Sequence, residues 1–180
     1  MKGRVFENPR IKDKVTVLES HEDTAGEHLL VEVEMLAGGG NAWHYHTSFD
    51  EEFTAIEGVL GIGLNRTNLH LQPGEKAVAK KGELHRFFNP GNSTVRFRVK
   101  IMPARPSFLQ SLCIGYGLAS DGLTNKKGIP KKLDHLACLL DISDTRLPGF
   151  LSLITPYLLR RAARARKRGV EKKLLEKYWA

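Results

Sequence analysis

Gly38-Gly39-Gly40-Asn41-Ala42-Trp43-His44-Tyr45-His46-Thr47-Ser48-Phe49-Asp50-Glu51-Glu52-Phe53-Thr54-Ala55-Ile56-Glu57-Gly58 is the stretch on which the reading of this 180-residue chain turns. His44 and His46 stand two apart, so on a strand their imidazoles project from one face about 7 Å apart along the chain, near enough to converge on one ion. A His-x-His pair is equally at home on a solvated strand face. What surrounds the pair therefore decides its meaning.

The surroundings read as β-structure. From Lys14 to Pro103 short strand candidates alternate with turn residues: Lys14 to Glu19, His28 to Leu36, Glu51 to Ile56, Val59 to Leu64, Asn68 to Leu71, Lys76 to Lys80 and Thr94 to Met102. Gly38 to Gly40, Gly58, Pro73-Gly74, Gly82 and Pro90-Gly91 punctuate them. In the last candidate Val95, Phe97, Val99 and Ile101 alternate with Arg96, Arg98 and Lys100, which makes one face apolar and one solvated. Pro103 and Pro106 close the region, because each restricts the residue before it. A boundary near residue 104 follows, dividing the chain into a β-rich domain, 1–103, and a basic extension, 104–180.

Beyond the boundary the pattern is helical. Ser107 to Ala119 forms one helix candidate, a turn-rich stretch runs from Ser120 to Lys132, and Leu133 to Ile142 is a shorter apolar piece. Leu151, Ile154, Leu158, Ala162 and Ala165 then recur at helical spacing until Gly169 interrupts, which predicts a helix from Ser152 to about Lys167.

Two motifs fix the fold class. Gly38, five residues, His44, one residue, His46, four residues, Glu51, six residues and Gly58 form the first; Gly74, five residues, Lys80, one residue, Gly82, two residues, His85, three residues and Asn89 form the second. In this order and at this spacing the chain resembles the cupin superfamily, the second motif departing only in having Lys80 where proline is usual. The resemblance implies a mainly β fold: a double-stranded β-helix (jelly-roll) barrel, followed here by an α-helical C-terminal extension.

It further implies that His44, His46, Glu51 and His85 bind one divalent transition metal, that Gly58, Gly74 and Gly82 serve turns, and that Asn89 is structural. Mixed nitrogen and oxygen donors suit iron, manganese, nickel, copper, cobalt or zinc rather than calcium or magnesium. Glu52 lies on the opposite face of the strand from Glu51 and is expected to be solvated. Trp43, Phe53 and Phe87 flank the ligands, as core or as the lining of a substrate chamber, with ordinary core the preferred reading.

The activity expected from the resemblance is that of a metal-dependent dioxygenase or related oxidoreductase on a small organic substrate, with Glu51 also able to take a proton. A metal-dependent isomerase or hydrolase, and a non-catalytic ligand-binding module, are the alternatives. The resemblance also suggests a homodimer.

Charge and composition bound the rest. The net charge of +8 is concentrated: Ser152 to Ala180 holds nine basic side chains against Glu171 and Glu176, so +7 of it lies there. A packed helix with a solvated basic face is the expected reading, with an anionic membrane surface or acidic partner next; specific nucleic-acid binding is not expected, since no recognition motif is visible. Met1 to Arg10 lacks the apolar stretch of a secretory signal, so a cytoplasmic protein is expected, with Cys113 and Cys138 as reduced structural thiols.

Overall fold

The computed structural model describes residues 4–179; residues 1–3, part of the expected barrel domain and of the polar N-terminal stretch, and residue 180, the end of the expected extension, lie outside the described residues. Ten strands come first: β1 (Val5–Asn8), β2 (Asp13–Glu19), β3 (Leu29–Met35), β4 (Tyr45–His46), β5 (Asp50–Glu57), β6 (Leu60–Leu64), β7 (Thr67–Leu71), β8 (Lys76–Ala79), β9 (His85–Phe88) and β10 (Val95–Met102). Then follow α1 (Pro106–Ser120), α2 (Leu133–Ile142), the two-residue strand β11 (Thr145–Arg146), a 3-10 turn (Gly149–Ile154), α3 (Thr155–Lys167) and α4 (Val170–Tyr178).

One wall of the barrel is a six-stranded sheet in the order β1-β2-β3-β10-β5-β8, and the other is the three-stranded β7-β6-β9. The period-2 pattern of β10 works as its sequence requires: Val95, Phe97, Val99 and Ile101 are buried, in register with Val33 and Val31 on β3 and with Ala55 and Phe53 on β5. Leu60 and Ile62 of β6 face the same interior, so the two walls enclose a single apolar cluster. Glu51 alternates in phase with Phe53 and Ala55, which places its carboxylate on that inward face.

Glycine matters most where something must come close. Gly58 has φ 73°, a left-handed conformation costly for any other residue, and Gly74 and Gly82 share that region. On the outer side of β6 a Cβ at Gly63 would stand 2.4 Å from the Trp43 ring. Trp43 covers this glycine, and the Arg86 guanidinium stacks 4.9 Å from the Trp43 ring centre.

The helices are tied to the barrel as well as to one another. Leu109 and Tyr116 of α1 belong to the barrel's apolar cluster, whereas Ile114 and Leu118 on the same helix join Cys138, Ala165 and Leu174 in a second cluster among the helices. Both cysteines are free and buried, and burial raises each thiol to about 11, as unreactive structural thiols require.

Several expectations change. The helix expected from Ser152 begins at Thr155, after a 3-10 turn in which Leu151 and Ile154 are exposed, so only Leu158, Ala162 and Ala165 of the expected stripe are buried. The helix ends at Lys167 as expected, and Gly169 (φ 76°) interrupts it and turns the chain into a further helix, α4, that was not expected. The basic face is also less free than expected. Arg161 and Arg168 reach Asp134, Arg166 reaches Asp141 and Glu171, and Lys177 reaches Asp121.

Candidate metal centre

The four residues singled out in the sequence meet. His44 and His46 enter around β4, Glu51 comes from β5 and His85 from the start of β9, and one donor atom from each lies within 4.8 Å of the other three. A reciprocal bridge joins His44 to His85, N–H to carbonyl both ways, and draws the two motifs together across the barrel mouth. The His44 and His46 ring centres are 4.8 Å apart, closer than extended spacing alone would leave them, because both rings lean toward one centre. His46, Glu51 and His85 are buried, and half-buried His44 forms the solvent side.

The hydrogen bonds bear on what this cluster could hold. His44 Nδ1 donates to the Ala42 carbonyl at 2.8 Å, His85 Nδ1 to the Glu83 carbonyl at 2.9 Å and His46 Nδ1 to the Asp144 carbonyl at 3.2 Å. A carbonyl can only accept, so each ring carries its proton on Nδ1 and, when neutral, turns an Nε2 lone pair toward Glu51. Buried Nε2 of both His46 and His85 has no hydrogen-bond partner of good geometry. His85 Nε2 nonetheless lies 3.0 Å from Glu51 Oε2, and His46 Nε2 lies 3.9 Å from Oε1. Three lone pairs and an anion facing one point repel unless a cation sits among them, so the donor set fits a metal ion.

The electrostatics agree. Burial, followed by the neighbouring histidines, lowers His44 to about 3, and burial lowers His46 as well. Burial also acts against the charged form of His85, yet its contact with Glu51 outweighs this and raises it. For Glu51 burial pushes upward, but His85, His46 and His44 prevail and bring the carboxyl to about 2. Two imidazoles are thus held neutral as ligands must be, and the carboxylate is ionised.

Glu52 points outward to Lys76 at 2.8 Å, as its strand position predicts. Lys80, which stands at the proline position, bonds Asp50 at 2.9 Å. Asn89 is structural: its amide donates to the Met35 and Ser93 carbonyls and its oxygen accepts from Gly91 N–H. Among the flanking aromatics, Phe53 and Phe87 pack into the core beside Phe97, and Trp43 lies on the outer face of β6.

Three neighbours of the centre went unread in the sequence. Phe49 stacks on His46 with ring centres 4.3 Å apart, Phe108 of α1 stands 6.1 Å from the same ring, and Asp144 accepts its Nδ1 proton. Phe49 sits inside the first motif and was readable there. Phe108 and Asp144 approach from the helical region, where no local pattern points to the barrel.

Residues 31–102 match the family model described as the cupin domain. This chain carries a cupin domain. Across 74 residues the cupin is 31% identical to the tetracenomycin polyketide synthase protein TcmJ of Streptomyces glaucescens, a match covering 41% of this chain and spanning half the length of that relative. Among solved structures the cupin is similar to the polyketide cyclase RemF of Streptomyces resistomycificus (28% identity, TM-score 0.47, 53% of this chain and 68% of that one). It is also similar to an RmlC-like cupin of Shewanella frigidimarina (18% identity, TM-score 0.49, 59% and 89%). Among the described residues no helix is long and apolar enough to cross a membrane.

Proposed function

We propose that this cupin is a metal-dependent enzyme acting on the carbonyl groups of a small, oxygen-rich substrate of polyketide type, with His44, His46, Glu51 and His85 as the ligands of one divalent transition metal. The observation that carries this reading is the set of three Nδ1-to-carbonyl bonds, which turn three imidazole lone pairs onto one carboxylate. The substrate class is suggested by the likeness to TcmJ, 31% identity over 74 residues.

When bound, the ion would supply Lewis acidity toward a substrate oxygen, since four protein donors leave places open on a six-coordinate metal. Half-buried His44 marks the side from which a substrate would arrive. Phe49 and Phe108 hold an apolar wall against His46 and keep water from that side. Glu51, held at about 2, is ionised at neutral pH, so its first role is electrostatic; it accepts a substrate proton only once its contact with His85 loosens. Ring closure or isomerisation through an enol needs these elements and no oxidant.

A dioxygenase is the second reading, favoured by a histidine-rich donor set that also suits redox-active iron, manganese or nickel. The residues 104–180 would serve either reading as an extension packed on the barrel. The test is elemental analysis of protein purified without added metal, followed by turnover of a poly-β-carbonyl substrate with an oxygen electrode in place. A cyclised or isomerised product without oxygen uptake supports the proposal, and oxygen uptake supports the second reading. Ligand binding without turnover on any metal would leave a binding module, and failure to bind metal would reject all metal-based readings.

A further inference from the structure

We infer that Asp144 is a positioning residue for His46, so that the C-terminal region completes the metal centre; this rests on the ligand assignment proposed above. His44 and His85 each give their Nδ1 proton to a carbonyl two residues back in their own chain segment, whereas the acceptor for His46 lies 98 residues away. Asp144 adopts φ 53°, a left-handed conformation that Asp and Asn tolerate better than most residues. That kink directs Thr145 and Arg146 antiparallel along His46 and Tyr45.

The side chain of Asp144 holds the kink in place. Its carboxylate accepts from Thr47 N–H (2.8 Å), Thr47 Oγ1 (2.9 Å) and Ser48 Oγ (2.6 Å), and pairs with Arg146 at 2.9 Å. One residue thus grips the His46 ring through its carbonyl and the two residues after His46 through its carboxylate. Ring orientation and tautomer of a metal-binding histidine depend on such a partner, and its loss typically costs 10–100-fold in metal affinity.

The test is competitive metal titration of the full chain, using Co2+ and Zn2+ against a chromophoric chelator, for the wild type, Asp144→Ala and Asp144→Asn. Asp144→Ala is expected to bind about 10–100-fold more weakly and to shift the Co2+ ligand-field spectrum. Asp144→Asn, which keeps the left-handed preference and an acceptor oxygen, should restore most of both. Imidazole 1H–15N spectra of metal-free protein supply an arm independent of the metal: the His46 Nδ1–H signal should be present in the wild type and lost or exchange-broadened in Asp144→Ala. Wild-type affinity and an unchanged His46 signal in Asp144→Ala would overturn the inference. A wild type that binds neither ion but keeps the Nδ1–H signal would instead overturn the ligand assignment.

A separate observation concerns the 3-10 turn and α3. We propose that the 3-10 turn and the outer face of α3 dock on an anionic phospholipid surface. Phe150 is 83% exposed and Leu153 69%, with Leu151, Ile154 and Tyr157 also exposed. Beside them Tyr157, Arg161, Arg164, Lys167 and Arg168 line an open hollow of about 480 Å³. Arg161 and Arg168 already pair with Asp134, but Arg160, Arg164 and Lys167 have no acidic partner among the described residues.

The uncompensated charge therefore sits beside the exposed apolar turn, the combination that lets a protein insert side chains among acyl chains while cations meet phosphates. A symmetric contact between two copies would instead set like charges against each other. Nucleic acid would leave Phe150 and Leu153 without a role.

Co-sedimentation of the full chain with phosphatidylcholine vesicles, with and without phosphatidylglycerol, tests this. Binding is expected only with phosphatidylglycerol and should weaken with added salt. Replacing Arg160, Arg164 and Lys167 together by Gln should weaken it about a hundred-fold, at roughly five-fold per cation near an anionic surface. Phe150→Glu with Leu153→Glu should abolish it. Equal binding to neutral vesicles, no binding, or a dimer that the Phe150→Glu and Leu153→Glu pair converts to monomer would each overturn the proposal, the last assigning the patch to a second copy.

Discussion

The barrel and the helical region use the same kinds of ionisable side chain to opposite ends. In the barrel, three histidines and a glutamate converge where water is largely excluded, and their proton affinities move in opposing directions. Among the helices, arginines and lysines pair with Asp121, Asp134, Asp141 and Glu171 at the surface, where solvent screens each pair. Burial makes a site of one set and leaves the other as weak fastening. The two regions meet at His46, which the barrel presents and the helical region orients.

The sharpest way to break this contrast is to remove a buried member of the proposed ligand set. His85→Ala should lower bound metal from stoichiometric to less than about a tenth of an equivalent, because losing one donor from a four-donor set costs more than losing an outer partner. Elemental analysis of the purified variant checks this. Retention of full occupancy would mean that the convergence is not a metal site.

Packing gives the next largest effect. Phe97→Ala, at a fully buried position on β10, should destabilise by about 3–5 kcal/mol, and Leu174→Ala in the helical cluster by about 2–3 kcal/mol. Urea denaturation measures both. Coincident transitions by near-ultraviolet and far-ultraviolet signals would show that barrel and helices unfold as one unit, as the shared helix α1 implies.

A third test uses the buried acid where the regions touch. Asp13 accepts a hydrogen bond from Tyr116 of α1 at 2.8 Å, and burial raises its carboxyl from 3.8 to about 7. Folding therefore strengthens proton binding at Asp13. The stability this lends is full below pH 3.8 and is lost as pH rises through about 7. Asp13→Asn should match the wild type near pH 4 and exceed it at pH 8 by about 1–3 kcal/mol. Thermal melts across that range decide it.

The smallest effect is expected at the surface. Lys177→Met removes an exposed partner of Asp121 and should leave the melting temperature unchanged within error, with scanning calorimetry as the check. A clear drop would show that the surface pairs act as a network.

Much of this was legible residue by residue. Strand alternation in Val95 to Met102 survives in the structure because a two-residue period has one way to bury its apolar face between two walls. Glu51 was distinguishable from Glu52 for the same reason, and α2 was legible as the apolar run Leu133 to Ile142. Strands β1 and β9 have no clear local signal: Val5 to Asn8 alternates weakly, and His85 to Phe88 pairs with β6 on the strength of tertiary position. Leu151 and Ile154 misled because helical spacing continues into a turn that has nothing to pack against.

What the sequence determined by itself is the barrel and the four side chains that converge in it, since glycine turns, strand period and motif spacing are local constraints that act whatever lies elsewhere. Only the tertiary structure decided that Asp144 supplies the His46 acceptor, that Phe108 walls the centre and that Asp121, just after α1, and Asp134 of α2 quench part of the C-terminal charge. Those contacts join residues far apart in the chain. They depend on how the helices come to rest on the barrel, and nothing in the spacing of nearby residues encodes that.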